Sequence, residues 1–275
     1  MTPNTPFRAA LVQMVSTPAV SENLDVAGEL VARAASEGAK LVALPEYFCI
    51  LGIRDTDKVA AKEEDGAGPI QEFLARTAKR HGIWLVGGSV PLACSDPGKV
   101  RNSCLVYDSE GSRVARYDKI HLFGLELGTE RFDEGRTIEA GATPCAIESP
   151  FGRIAVSVCY DVRFPELYRA LAPMDIILVP SAFTATTGRA HWEPLLRARA
   201  IENLAWVLAP AQGGTHPNGR QTHGHSMVVD PWGKVVAERA TGPGVVVADI
   251  DPAFQSKMRE SLPVLTHRVL PGRGR

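Results

Sequence analysis

The feature that most constrains this chain is an order of short apolar runs and amphipathic stretches that occurs once in each half. FRAALVQM (7–14) is short, apolar and bounded by Pro and Ser, which predicts a buried strand. A helix capped by Ser21 follows, with Leu24, Ala27, Leu30, Val31 and Ala34 recurring at three and four, and ends near Gly38. KLVALPE is a second strand, stopped by Pro45. Pro69 opens the next helix, with Ile70, Phe73, Leu74, Thr77 and Ala78 on one face and Gly82 at its end, leading into the strand IWLVGGSV. VRNSCLVYD and RVARYDK add two β segments hinged at Ser109–Gly111.

The second half repeats the order. IAVSVC (154–159) reads as a buried strand, FPELYRALA as a short helix, and DIILVPSAF as a strand that again meets a proline. HWEPLLRARAIEN is helical, and WVLAPAQ, HSMVVDP, KVVAE and VVVADI are strands, two of them joined by a turn at Trp232-Gly233. No linker or composition break separates the halves. The chain is therefore expected to form one α/β domain over 7–265, with residues 266–275 as a frayed tail or an oligomer arm.

Composition narrows the functional classes. The 275 residues carry 30 basic and 31 acidic side chains, so no net field steers the protein to nucleic acid or an anionic membrane. No apolar run approaches the ~20 residues of a bilayer span, and MTPNTPF lacks the basic and apolar segments of a signal peptide, so a cytoplasmic setting is expected. Five scattered cysteines without a C-x-x-C pair read as reduced thiols.

Several chemistries lose their signatures. There is no G-x-x-x-x-G-K-[ST], no G-x-G-x-x-G after the opening strand, and no G-x-S-x-G. His223 and His225 could share a strand face, with His216 nearby, but no carboxylate or thiol lies close in sequence to complete a metal site, and none is expected. Three residues remain at the C-terminal ends of apolar segments, where open α/β sheets build their sites: Glu46, Lys119 and Cys159. A carboxylate, a cation and a nucleophile are the parts needed to attack a carbonyl. Singly, each has an ordinary structural reading: a paired Glu, a solvated Lys and a small core Cys.

LPEYF (44–48), YDKIHLF (117–123) and VCYDVRFPEL (158–167) resemble, in order, the three catalytic motifs of the nitrilase, or carbon-nitrogen hydrolase, superfamily. SAFTATTGRAHWEPLLRARAIEN and HGHSMVVDPWGKVVA are similar to the branch that holds ω-amidases and deaminated glutathione amidases. The resemblance runs over about residues 7–270. It implies a four-layer α-β-β-α sandwich, usually paired into dimers or larger homo-oligomers. It also implies Glu46 as general base and acid, Lys119 as cationic group, Cys159 as nucleophile and Glu134, in RFDEG, as the glutamate that orients the lysine and the attacking water.

Such a site needs an activated thiol, with an ammonium to favour the thiolate and a carboxylate to take the proton. It also needs donors for the oxyanion, for which Lys119 and the backbone N–H of Tyr160 are the natural pair. No metal or organic cofactor enters this scheme. The expected reaction is hydrolysis of a linear, carboxylate-bearing amide, deaminated glutathione-like, to acid and ammonia through a thioester. The alternatives are an ω-amidase acting on α-ketoglutaramate, another carbon-nitrogen hydrolase such as an N-carbamoyl amidase or nitrilase, and a non-catalytic scaffold.

The substrate carboxylate needs basic or N–H partners. Arg163 is the first candidate, against an alternative pairing with Glu166; Thr186 and Thr187 follow, and Phe183 is a wall. Arg197 and Arg199 are expected to pair with Glu193 and Glu202. The sequence departs from the family at LFGLELG, where Gly124 replaces an acid, and at Arg189 and His223; none of these positions belongs to the implied triad.

Overall fold

The computed structural model describes residues 5–128 and 130–269. The first half runs β1 (Phe7–Gln13), α1 (Val20–Ser36), β2 (Leu41–Ala43), α2 (Asp57–Ala60), α3 (Pro69–His81), β3 (Trp84–Val86), β4 (Val90–Leu92), β5 (Arg101–Tyr107) and β6 (Arg113–Asp118). A hairpin follows, β7 (Gly124–Leu127) and β8 (Glu130–Asp133). The second half runs β9 (Cys145–Ser149), β10 (Gly152–Val156), α4 (Pro165–Leu171), β11 (Ile176–Leu178), α5 (Ala185–Asn203), β12 (Trp206–Ala209), β13 (Ser226–Val229), β14 (Val235–Arg239), β15 (Gly244–Ile250) and α6 (Pro252–Ser261).

Two sheets result. One is ordered β15-β1-β2-β3-β5-β4, with β6 also paired to β5, and the other β14-β13-β12-β11-β10-β9. The period of two along the strands builds both sides of the first sheet. Ala9, Leu11, Leu41, Ala43, Cys104 and Val106 join the core shared with the second sheet, while Ala10, Val12, Val42, Leu105 and Tyr107 join the core under α1 and α3. Trp192, Leu196 and Ala200 of α5 and Leu167 and Tyr168 of α4 cover the second sheet. The layers are thus α-β-β-α, as expected. One strand locks the halves together: β15 leaves the second half and pairs antiparallel along β1, from Phe7 opposite Ile250 to Gln13 opposite Gly244.

Local signals mostly decide the boundaries. Pro69 stands in the first turn of α3, and Gly82 ends it in the left-handed conformation, as expected. Ser21 does not cap α1, which begins one residue earlier with Ala19 as its N-cap. The polar work passes to Thr17 and Asn23: Thr17 Oγ1 accepts from the Ala19 N–H, and Asn23 Oδ1 accepts from the Thr17 N–H. IWLVGGSV breaks into β3 and β4 because Gly88, at φ 53°, turns the chain against Pro45, whose carbonyl a side chain at Gly88 would strike. IAVSVC ends as a strand at Val156, before Cys159. The hairpin β7–β8, strand β9 and helix α6 were not expected from the sequence. Of the expected tail, residues 270–275 lie outside the described residues.

Candidate active site

Three loops at strand ends converge. Glu46 follows β2, Lys119 follows β6, and Cys159 opens a tight 3-10 turn, Cys159–Arg163, after β10. Cys159 takes φ 51°, a conformation that costs a side chain about 1 kcal/mol or more and is held only where the surroundings impose it. They do so here: the Cys159 N–H donates to the Pro180 carbonyl, and Asp161, fully buried, accepts from the Val158 N–H at 2.9 Å. Tyr160 is the second residue of the turn, and among the described residues its N–H meets no acceptor, as is usual for N–H groups at the start of a helical turn.

Lys119 is fully buried, and its three ammonium hydrogens find three carboxylate oxygens. Nζ donates to Glu46 Oε1 at 2.9 Å and to Glu134 Oε1 and Oε2 at 3.0 and 2.8 Å. Burial alone would push Lys119 toward the neutral amine, but Glu134 and Glu46 outweigh it and hold the ammonium above its ordinary value. Burial likewise opposes the charge of Glu134, yet Lys119, the Phe123 N–H and the Tyr47 hydroxyl keep its carboxyl below the usual range.

Glu46, Glu134, Cys159 and Tyr160 wall one cavity, with Lys119 behind them. The thiol is not a resting thiolate. Burial first and then Glu46 push its pKa well above the ordinary value, and the opposing pull of Lys119 does not compensate. The expected activation of the thiolate by Lys119 is corrected by this charge count: one ammonium stands among two carboxylates, so a further anion is unwelcome.

The expected substrate contacts divide. Arg163, Phe183 and Thr187 wall the same cavity, whereas Thr186 donates to Glu130 Oε1 at 3.0 Å and does not line it. Arg163 does not pair with Glu166: its guanidinium lies 5.4 Å from the Phe183 ring and meets His191 Nδ1 at 3.2 Å. Arg197 and Arg199 pair with Glu193 and Glu202 as expected. His223 and His225 stack with ring centroids 4.3 Å apart, and His225 bonds Glu238. Burial, then His225, lowers the pKa of His223 to about 4. His216 sits elsewhere, bonded to Ser16 and Thr222, so the three histidines do not converge.

Two positioning residues escaped the sequence reading. Asn102 on β5 donates to Glu46 Oε1 at 3.0 Å, while its carbonyl accepts from the Lys119 N–H. Asp161 accepts from the Tyr117 hydroxyl at 2.7 Å and the His121 N–H at 3.0 Å, on the segment that carries Lys119. Asp161 thereby ties the nucleophile's turn to the lysine's loop. Glu46 itself is fixed from behind, its carbonyl accepting from Gln212 Nε2 at 3.1 Å.

The carbon-nitrogen hydrolase family profile matches residues 8–260. The chain belongs to this family. It is 42% identical over 270 residues to the deaminated glutathione amidase of Synechocystis, covering 96% of this chain and 98% of that protein. It is 37% identical to the omega-amidase of Xenopus tropicalis, covering 95% of each. Among solved structures, the nitrilase and fragile histidine triad fusion protein of Caenorhabditis elegans superposes with a TM-score of 0.88 at 39% identity, over 98% of this chain and 66% of that one. An amidase from Nesterenkonia whose active-site cysteine has undergone Michael addition of acrylamide superposes with a TM-score of 0.78 at 29% identity, over 94% of this chain and 98% of that one. The protein is thus a carbon-nitrogen hydrolase with the nitrilase fold.

Proposed function

We propose that the protein is a cysteine-dependent amidase whose substrate is a linear, carboxylate-bearing amide of the deaminated glutathione type. The observation that carries the mechanism is the buried Lys119 ammonium, bonded to both Glu46 and Glu134 behind the cavity that Cys159 opens into. In this reading the Cys159 sulfur attacks the amide carbonyl carbon as its proton passes to Glu46, so no free thiolate has to persist in the pocket. The carbonyl oxygen becomes an oxyanion, received by the Tyr160 N–H and by Lys119. Since Lys119 donates to both Glu134 oxygens at rest, one of these bonds can swing to the oxyanion without leaving Glu134 unpaired.

Collapse breaks the carbon-nitrogen bond, Glu46 returns the proton to the departing nitrogen, and a thioester remains. Glu46 then deprotonates a water that attacks the thioester, and the acid leaves as the thiol is restored. Ammonia, the leaving group expected from the sequence, fits a primary amide only. Deaminated glutathione has secondary amides, so the same step expels an amine from it.

The higher identity to a deaminated glutathione amidase than to an omega-amidase supports the extended substrate, and α-ketoglutaramate is the second reading. A basic wall for a substrate carboxylate is available in Arg163. The same reading has the enzyme acting as a homo-oligomer in the cytoplasm; in its favour, the five cysteines are all free, and no helix among the described residues is long and apolar enough to cross a membrane. Comparing kcat/KM for deaminated glutathione and α-ketoglutaramate with one preparation tests the proposal. Hydrolysis of deaminated glutathione at the higher kcat/KM is expected; a clear lead for α-ketoglutaramate moves the assignment to the second reading, and hydrolysis of neither overturns it.

A further inference from the structure

A second cavity adjoins the catalytic one, and Phe123, Glu134 and Arg220 wall both. In its wall stand two cations that no carboxylate of the described residues pairs with directly. Lys58 Nζ donates to Thr137 Oγ1 at 3.1 Å and stands 5.8 Å from the Tyr47 ring centroid. Arg220 lies over the Phe132 ring at 5.2 Å and donates from Nη2 to the Ala182 carbonyl, while its Nε is buried with no partner. Among the described residues, neither makes an ion pair with a carboxylate, although most buried donors are paired.

The acids of the same walls do not fill this need. Glu134 is held by Lys119, Tyr47 and Phe123, Asp133 accepts from the Gly135 N–H, and Asp55, exposed to solvent, joins Glu134 in favouring the Lys58 ammonium without pairing with it. Nor does Arg220 sit on a loose loop. Its N–H donates to Asn218 Oδ1 at 2.9 Å, its carbonyl accepts from the His216 N–H, and Asn218 in turn donates to the Gly52 carbonyl at 2.7 Å. A cation held this way, in the wall of a cavity and with a buried donor still unpartnered, is prepared for an anion that arrives with a ligand.

We propose that this outer cavity is the leaving-group subsite, in which Arg220 and Lys58 grip a carboxylate on the amine side of the scissile amide. The inference rests on the amidase reading above and names what that reading leaves open, the recognition of the far end of the substrate. The placement of the charges sets the polarity. Arg163 walls only the cavity at Cys159 and Lys58 only the outer one, which suits an acyl group beside Arg163 and an amine portion beyond Glu134. A substrate with a carboxylate at each end then spans from Arg163 to Arg220, with its amide at Cys159. A primary amide leaves the outer cavity empty, so Arg220 and Lys58 select extended amides over short ones.

The test compares kcat/KM for deaminated glutathione with that for its C-terminal carboxamide, in the full-length enzyme and in Arg220→Gln and Lys58→Met. The unaltered enzyme is expected to favour the carboxylate by about 100-fold, the size of effect when one partner of a buried charge pair is removed. This preference should fall to within a few-fold in Arg220→Gln, and by about tenfold in Lys58→Met, which serves alone if the arginine variant does not fold. A preference that persists undiminished in the folded variants overturns the subsite, as does an unaltered enzyme that hydrolyses acid and carboxamide equally. Failure of the unaltered enzyme to cleave either compound is a separate outcome, which removes the amidase reading and the subsite with it.

Discussion

Two lysines serve the same cavity system, Lys119 from behind its wall and Lys58 from within it, and live in opposite circumstances. Lys119 is fully buried, and three carboxylate oxygens answer its three hydrogens. Lys58 has a threonine hydroxyl and no directly paired carboxylate among the described residues, and burial pulls its pKa below the ordinary value although the charges of Asp55 and Glu134 act the other way. The first charge is neutralised by the protein, so it serves the reacting atoms and holds the site together. The second is left unneutralised, which suits a charge that meets its partner in a ligand. Burial alone therefore does not say what a lysine is for; the count of acceptors around it does.

The comparison breaks most visibly at the nucleophile that only the inner pole serves. Cys159→Ser keeps the shape of the turn and replaces sulfur by a much weaker nucleophile. Its amide hydrolysis should fall by about 10⁴-fold or more in kcat/KM while thermal unfolding stays near that of the unaltered protein. A serine variant with most of its activity would remove Cys159 from the mechanism.

Next comes stability. Lys119→Met leaves Glu46 and Glu134 buried side by side without a cation, and breaking a buried pair in this way costs about 3–5 kcal/mol. Lys58→Met removes an ammonium that burial already disfavours, so denaturant unfolding should change by less than about 1 kcal/mol. Equal losses in the two variants would erase the distinction between the lysines.

Much of the inner pole was legible, because Glu46, Lys119 and Cys159 each follow a strand and each lies in a motif. Glu134 was legible only through the family resemblance. Asp161 lies inside one of those motifs and was still missed, since its part is played by contacts to Tyr117 and His121, some 40 residues away. Arg220 belongs to a polar loop and Lys58 to the four-residue helix α2, too short for a period, and nothing local there distinguishes a solvated charge from one turned into a cavity. The fold divides the same way. Alternation gave the two half-sheets, but no local pattern says that β15 crosses over to pair with β1. Helix α6 did carry a readable start, since Asp251 caps it by accepting from the Ala253 N–H and Pro252 stands in its first turn.

The third prediction sharpens the comparison through the substrate. Glutathione carries an α-ammonium where its deaminated form has a ketone, and the guanidinium of Arg163 makes the acyl side of the cavity hostile to a second cation. If the uncompensated ammonium costs about 3–4 kcal/mol, kcat/KM for deaminated glutathione should exceed that for glutathione by a few hundred-fold, at about 1.4 kcal/mol per tenfold. Equal values would mean that the charge of Arg163 does not select.

The smallest effect tests whether the inner charge is neutralised at all. If Lys119 acted freely on Cys159, as the outer cations act on a ligand, the thiol would ionise early and its alkylation rate would level off near neutral pH. The structure gives the opposite sign: burial and Glu46 raise the thiol above its ordinary value of 9.0, and Lys119 does not reverse this. Below its pKa the thiolate fraction grows about tenfold per pH unit, so alkylation of Cys159 by iodoacetamide, followed by peptide mass analysis, should keep climbing through pH 9 at close to that slope. Cys94 is also raised by burial but less enclosed, and provides the internal comparison in the same digest. A plateau at Cys159 below pH 8 would show that the ammonium reaches the sulfur with its charge intact, and the contrast between the two lysines would then lie in their position and not in their neutralisation.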